Sequence, residues 1–202
     1  MNRRTLLYFS LGLILIIVVM AIWSVRGGRN DAQPPLAGAA IGGPFSLVDQ
    51  HGKPFTDKDL RGHYALVYFG YSYCPDVCPT DLARLMQGLR IFEKQDAARA
   101  AHVLPVFFTV DPERDTPQVV GQFVSAFHPR LIGLTGSTAA VQQAMQSYRI
   151  YAKRQGPPGA KDYLVDHSAN AYLFDEQGRP MVLFTSTDTP QAIAATLDQW
   201  VK

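Results

Sequence analysis

The chain has few cysteines and little net charge. Cys74 and Cys78 are the only cysteines among 202 residues, so a disulfide-rich scaffold is excluded. The chain has 19 Lys and Arg against 17 Asp and Glu. Residues 33–202 hold 15 of these basic residues and 16 of the acidic ones. No basic stripe remains to bind nucleic acid, so that class of partner is excluded. We find no internal repeat, and residues 33–202 suffice for one domain with a proper core.

Charge is absent from one long apolar stretch near the start. Residues 5–25 read TLLYFSLGLILIIVVMAIWSV, a length that suits a membrane-spanning helix and exceeds the usual core of a signal peptide. Arg3 and Arg4 precede the run, so the positive-inside rule favours a cytoplasmic N-terminus at 1–4. No cysteine follows the run directly, which excludes a lipid-anchored mature end. We predict an uncleaved transmembrane anchor at 5–25 in preference to a cleaved signal, then a flexible tether at 26–40 rich in Gly, Pro and Ala.

Strand and helix patterns alternate in residues 41–202. PFSLVDQHGKPFT predicts a short hairpin, and HYALVYFGY and HVLPVFFTV predict strands buried on both faces. SANAYLFDEQGRPMVLFTS predicts a second hairpin, whereas KRQGPPGAKDY predicts a loop. The pattern indicates an α/β fold around a central sheet, in which functional groups tend to lie at the carboxyl ends of strands.

Helix starts are marked by capping residues. Leu82, Leu85, Met86, Leu89 and Phe92 recur at helical spacing after the cysteines. Three later helices are predicted to begin at a hydroxyl-bearing N-cap, which is Thr116 before Pro117, Ser137 or Thr138, and Thr189 before Pro190.

The two cysteines lie four residues apart, where a strand pattern becomes a helix pattern. A disulfide between Cys74 and Cys78 would close a very short loop and so add little stability. A domain of this size also needs no disulfide to be stable. Thiols in the first turn of a helix meet free N–H groups and the positive end of the helix dipole, which favour thiolate. Residues i and i+4 share a helix face, so both sulfurs can approach each other or one metal. A redox couple and a metal site both remain open.

A metal site would require a third ligand. His167 is the candidate among the five histidines, because it opens a predicted strand at the end of a loop, although the Asp166–His167 pair could instead be a structural loop anchor. Two thiolates and one imidazole would suit Cu(I), which prefers soft ligands, whereas zinc would require a fourth ligand. His128 has a structural explanation, because a cation suits a helix C-terminus.

Four successive blocks resemble the Sco/SenC family, the copper proteins of cytochrome c oxidase assembly. The blocks are FSLVDQHGKPFT, YALVYFGYSYCPDVCPTDL, FFTVDPERDTP and YLVDHSANAYLFD, and the likeness runs from about residue 41 to the C-terminus. It implies a thioredoxin-like fold with a central mixed sheet and an N-terminal hairpin. It also implies one copper ion per chain, Cu(I) or Cu(II), on Cys74, Cys78 and His167, with the two cysteines as a redox-active pair.

The resemblance further implies a copper metallochaperone with a defined recipient. Members deliver copper to the binuclear copper site of cytochrome c oxidase subunit II, reduce the cysteines of that site, or both. Other periplasmic copper carriers and thiol–disulfide reductases are further expected partners. The chain lacks an Arg- and Ser-rich transit region, so we expect a single-pass protein of a bacterial inner membrane with its C-terminal domain in the periplasm.

Two other functions compete with copper delivery. A thiol–disulfide reductase or redox sensor, in which copper is incidental, would use the same cysteines, and the sequence does not separate it from a copper carrier. A peroxiredoxin-like peroxidase is disfavoured, because residues 67–74 read VYFGYSYC and lack the pattern P-x-x-x-T-x-x-C.

Overall fold

The structure is a computed structural model that describes residues 12–14, 16–17, 20, 33–157, 159–160 and 162–202. Residues 12–14, 16–17 and 20 are helical. The rest of the predicted anchor, the predicted N-terminus at 1–4 and residues 26–32 of the tether lie outside the described residues. Within the described ranges, no helix is both long and apolar enough to cross a bilayer. The anchor therefore stays a prediction.

Residues Pro34–Lys202 form one compact unit built on a mixed sheet. The seven-stranded sheet has the order β2-β1-β5-β4-β3-β8-β9, and a separate ribbon pairs β6 with β7. β3, β4 and β5 run parallel, and the other pairs are antiparallel. The predicted α/β fold, the central mixed sheet and the N-terminal hairpin are confirmed. The strands are β1 (Ser46–Asp49), β2 (Pro54–Thr56), β3 (Tyr64–Gly70), β4 (Val103–Thr109), β5 (Ile132–Thr135), β6 (Ala152–Arg154), β7 (Val165–His167), β8 (Ala171–Phe174) and β9 (Pro180–Phe184).

Three helices begin at the predicted capping residues. Thr116 accepts a hydrogen bond from the N–H of Val119, and Thr189 accepts one from the N–H of Ala192. Ser137 does the same at its own helix, so each side chain satisfies one free backbone donor. The helices are α1 (Val77–Gln95), α2 (Ala97–Ala100), α3 (Pro117–Ser125), α4 (Thr138–Ser147) and α5 (Pro190–Trp200), and a 3₁₀ turn covers Asp57–Leu60.

The predicted loop at 153–163 is partly wrong. Lys153 and Arg154 belong to β6, which pairs antiparallel with β7 through Ala152 and His167, Lys153 and Asp166, and Arg154 and Val165. The ribbon is short and only part-buried, so neither strand carries the continuous apolar run that identified β3. The ribbon matters for the site because it fixes the end of β7, where His167 lies.

Helix α1 presents its predicted apolar face to the core. All five residues predicted from their spacing are buried, namely Leu82, Leu85, Met86, Leu89 and Phe92. Gly88 faces α5, where a Cβ atom would lie 2.5 Å from Ile193 Cγ2 and 3.1 Å from the Pro190 carbonyl oxygen. The two helices therefore approach more closely than any larger residue would allow.

We expect Gly88→Ala to destabilise the protein. The added methyl group would meet the branch point of Ile193 and a backbone carbonyl, and overpacking of this kind costs about 1–3 kcal/mol of unfolding free energy. Gly121→Ala is the matched control, since that helical glycine faces the side chain of Gln50 at 3.3 Å and has more room to adjust. The control should be neutral or gain up to about 1 kcal/mol from helix propensity. Urea denaturation of both variants measures the difference, and equal effects would contradict the close helix approach.

Candidate metal centre

Cys74, Cys78 and His167 meet at the carboxyl end of β3. Cys74 lies in the loop after Gly70, Cys78 is the second residue of α1, and His167 ends β7. The sulfur and nitrogen atoms of the three side chains all lie within 4.8 Å of one another. The structure thus brings together the three residues predicted from the sequence, although they lie up to 93 positions apart along the chain.

Gly70 leaves the space that the Cys78 sulfur occupies. A Cβ atom at Gly70 would lie 3.1 Å from Cys78 Sγ and 2.9 Å from Tyr68 Cε1. Both distances are shorter than an ordinary nonbonded contact. The end of β3 therefore requires glycine at this position for the sulfur to reach His167.

The two thiols have opposite electrostatic environments. Burial would raise the pKa of Cys74, but hydrogen bonds from the backbone N–H groups of Asp76 and Cys78 outweigh it and bring the pKa below its ordinary value. The N–H of Cys78 lies 3.4 Å from Cys74 Sγ. Cys78 is 0% exposed against 9% for Cys74, and burial raises the pKa of Cys78 well above its ordinary value. Cys74 is thus the more reactive and more accessible thiol.

His167 points its unprotonated nitrogen at the sulfurs. Its Nδ1 lies 3.2 Å from the carbonyl oxygen of Ser168, which can only accept, so Nδ1 carries the proton. Nε2 lies 3.1 Å from Cys78 Sγ and keeps its lone pair for a proton or a metal. Burial lowers the pKa of His167, so the ring is neutral at neutral pH and ready to act as a ligand.

Asp115 holds the loop that precedes Cys74. Its side chain is fully buried, and it accepts hydrogen bonds from the backbone N–H of Ser72 at 3.1 Å, the hydroxyl of Thr109 at 2.6 Å and the hydroxyl of Ser72. Burial raises the pKa of this carboxyl, and the donors act against the rise. The sequence predicts no role for Asp115, and its signal is the charged run DPERD directly after the predicted buried strand.

Tyr163 and its neighbours form a clamp that holds the loop before His167. The ring of Tyr163 lies between the guanidinium groups of Arg114, 3.6 Å from its centre, and Arg154, 3.8 Å from its centre. The Tyr163 hydroxyl donates to Asp111 at 2.6 Å, and Arg114 pairs with the same carboxylate at 2.6 Å. Cation–π contacts and hydrogen bonds thus fix the chain two residues before β7. This clamp was also missed.

The donor set fits copper. Two thiolate sulfurs are soft ligands and imidazole nitrogen also suits copper, and in the described part of the chain no carboxylate or fourth residue completes the group. Asp166 accepts a hydrogen bond from Gln155 and is not part of the cluster. The chain therefore has a Cys–Cys–His group that could bind copper, as the sequence predicts, and its low ligand number disfavours structural zinc.

His128 lies away from this centre and has a structural role, as predicted. It is buried, with Nε2 3.3 Å from a carboxylate oxygen of Glu93, and its Nδ1 accepts the N–H of Arg130 at 3.2 Å. Burial lowers the pKa of His128, which favours the neutral ring over the cation suggested by its position at a helix end.

Comparison with known proteins identifies relatives along most of the chain. The SCO1/SenC family model matches residues 33–202. The chain is 40% identical over 179 residues to a SCO2-like protein of Rickettsia prowazekii, which is 84% of this chain and 85% of that protein. It is 42% identical over 151 residues to the mitochondrial protein SCO2 of Saccharomyces cerevisiae, which is 74% of this chain but only 49% of that protein.

Solved structures with the same fold include copper-bound proteins. ScoI of Bradyrhizobium japonicum with copper bound is 45% identical, with a TM-score of 0.71 over 80% of this chain and 99% of that chain. Yeast Sco1 with copper bound is 36% identical, with a TM-score of 0.72 over 80% of this chain and 88% of that chain. The fold of Pro34–Lys202 and the copper-compatible donor set agree with both.

Proposed function

Because the chain belongs to the SCO1/SenC family, we propose that it is a membrane-anchored copper metallochaperone of cytochrome c oxidase assembly. Its copper ligands are Cys74, Cys78 and His167, and its recipient is the binuclear copper site of oxidase subunit II. The observation that carries the proposal is the convergence of two sulfurs and one imidazole nitrogen within 4.8 Å. The uncharged run at 5–25 supports a bacterial inner-membrane protein with its C-terminal domain in the periplasm.

Copper is the cargo of this centre. Cys74 is the less buried of the two cysteines, at 9% exposed against 0% for Cys78. A thiolate of the recipient can bond to copper as the bond to Cys74 Sγ breaks, and Cys78 and His167 hold the ion until that exchange is complete. The Nδ1–H of His167 keeps the ring oriented through Ser168 while Nε2 faces the ion.

Reduction of the recipient's cysteines is the second candidate, favoured by the unequal thiols. The Cys74 thiolate attacks one sulfur of the recipient's disulfide, so that a mixed disulfide forms and one recipient thiolate leaves. The Cys78 thiolate then attacks Cys74 Sγ and releases the second recipient thiolate. Two electrons pass to the recipient, and the Cys74–Cys78 disulfide remains. The lowered pKa of Cys74 suits the first attack, and the short distance between the two sulfurs, which lie within 4.8 Å of each other, suits resolution by Cys78.

Copper titration of the reduced and oxidised protein tests the proposal. The reduced protein should bind one Cu(I) per chain, and the affinity should rise with pH because the Cys78 thiol, whose pKa is raised by burial, must lose its proton. Oxidation to the Cys74–Cys78 disulfide should abolish stoichiometric binding. One copper ion retained by the oxidised protein would contradict the proposed ligand set.

A further inference from the structure

Tyr68 carries a buried hydroxyl whose role the described fold leaves open. The residue lies on β3 and is 1% exposed, and its hydroxyl oxygen has no hydrogen-bond partner in the described part of the chain. Burying an unpaired hydroxyl costs free energy, so tyrosine would be less favourable than phenylalanine here unless the hydroxyl has a function.

The Tyr68 ring is close to the sulfur of Cys78. The ring and Cys78 Sγ both lie against Gly70, since a Cβ atom there would be 2.9 Å from Tyr68 Cε1 and 3.1 Å from the sulfur. Burial raises the pKa of Tyr68, and the neighbouring Cys78 and Asp81 raise it further. The Tyr68 side chain therefore packs beside the inner sulfur of the metal centre.

Asp81 offers this hydroxyl a second acceptor. Tyr68 lines a cavity of about 10 Å³ with Asp81, Arg84, Phe184 and Ile193. Asp81 Oδ1 pairs with Arg84 at 2.7 Å, whereas Asp81 Oδ2 is buried without a hydrogen-bond partner in the described part of the chain. The cavity is near the smallest size that holds one water molecule, so bulk water cannot reach the hydroxyl.

We propose that Tyr68 is a positioning residue of the copper centre, whose hydroxyl donates a hydrogen bond to Cys78 Sγ when that sulfur is a copper-bound thiolate. The inference rests on the proposed copper binding. A neutral thiol is a weak acceptor, whereas a thiolate is a strong one, so the hydroxyl gains its partner when copper is bound. A hydrogen-bond donor to a copper-bound sulfur draws electron density from that sulfur, which favours Cu(I) over Cu(II).

Tyr68→Phe removes the donor and keeps the ring. The ratio of Cu(I) affinity to Cu(II) affinity should fall about three- to tenfold, because hydrogen bonds to charged groups are the strong ones. The sulfur-to-Cu(II) charge-transfer band should move to longer wavelength, since the sulfur becomes richer in electrons. Tyr148→Phe is the control, because this buried tyrosine packs on Phe69 and Phe108, away from the cysteines. Tyr148→Phe should change neither the affinity ratio nor the charge-transfer band.

A fluorinated tyrosine at position 68 tests the same bond in the opposite direction. Fluorine beside the hydroxyl makes it a stronger donor, so the affinity ratio should rise and the band should move to shorter wavelength. Suppose that the wild type binds copper. An unchanged ratio of Cu(I) to Cu(II) affinity and an unchanged charge-transfer band, in the fluorinated protein or in a folded Tyr68→Phe protein, would then overturn the inference. Wild-type protein that binds no copper would overturn the proposed function and this inference together.

Discussion

In the Cys78→Ser protein, Cys74 is expected to stay joined to its target by a mixed disulfide, whereas the Cys74→Ser protein should form almost no such adduct. The thiolate is the attacking species, and Cys74 is the less buried of the two thiols and the one with a lowered pKa. The backbone N–H groups of Asp76 and residue 78 that stabilise this thiolate remain in the serine variant. Cys78 is fully buried with a raised pKa, so it is a poor first nucleophile but can resolve the adduct.

Purification under non-reducing conditions, followed by mass spectrometry, measures the trapped adducts. The adduct yield of Cys78→Ser should exceed that of Cys74→Ser at least about tenfold. Wild-type protein is the control, because its Cys78 should release the target. Equal yields from the two variants would contradict the division of roles, and oxidase subunit II as the captured protein would support the assembly function.

His167→Ala is expected to separate copper binding from thiol chemistry. The change removes the nitrogen ligand and touches neither sulfur, so two thiolates still hold Cu(I) with an affinity lowered about tenfold or more. Cu(II) prefers imidazole and more ligands, and its affinity should fall at least about a hundredfold. The thiols keep their positions on the β3–α1 segment, so the Cys74–Cys78 couple should still oxidise and reduce reversibly.

Oxidase activity in cells shows which activity dominates. If the protein is mainly a carrier, cells with His167→Ala should lack oxidase activity and recover with added copper. If it is mainly a reductase, the same cells should assemble oxidase almost normally, while Cys74→Ser cells should fail. His51→Ala is the control, because His51 is an exposed histidine in the N-terminal hairpin. Unchanged Cu(I) and Cu(II) affinities in His167→Ala would remove this histidine from the centre.

The sequence predicts elements whose signal is local. The buried face of α1 follows from a 3.6-residue period, and the buried strands follow from continuous apolar runs. Thr116, Ser137 and Thr189 follow from capping chemistry, which depends on a few neighbouring residues. These elements required no knowledge of how distant segments meet.

The supports of the centre could not be predicted in the same way. Asp115 reaches Ser72 across 43 positions, and Tyr163 reaches Asp111 across 52 positions. Such contacts leave no periodicity, and a buried carboxylate looks like any other acidic residue in a loop. The loop position of His167 makes it a candidate, but only the family resemblance makes it the expected third ligand, because the spacing of the cysteines defines only two ligands.

The separation of the ligands along the chain gives copper a mechanical effect on the fold. Cys78 and His167 are 89 residues apart, so an ion held by both acts as a removable crosslink between the start of α1 and the end of β7. Like a disulfide that closes a long loop, it restricts the unfolded chain, and it stabilises the native state in proportion to copper occupancy. If the chain carries copper as proposed, release of the ion would also loosen the β6–β7 ribbon, and the copper-free protein would present a less rigid surface to its partners than the copper-bound protein.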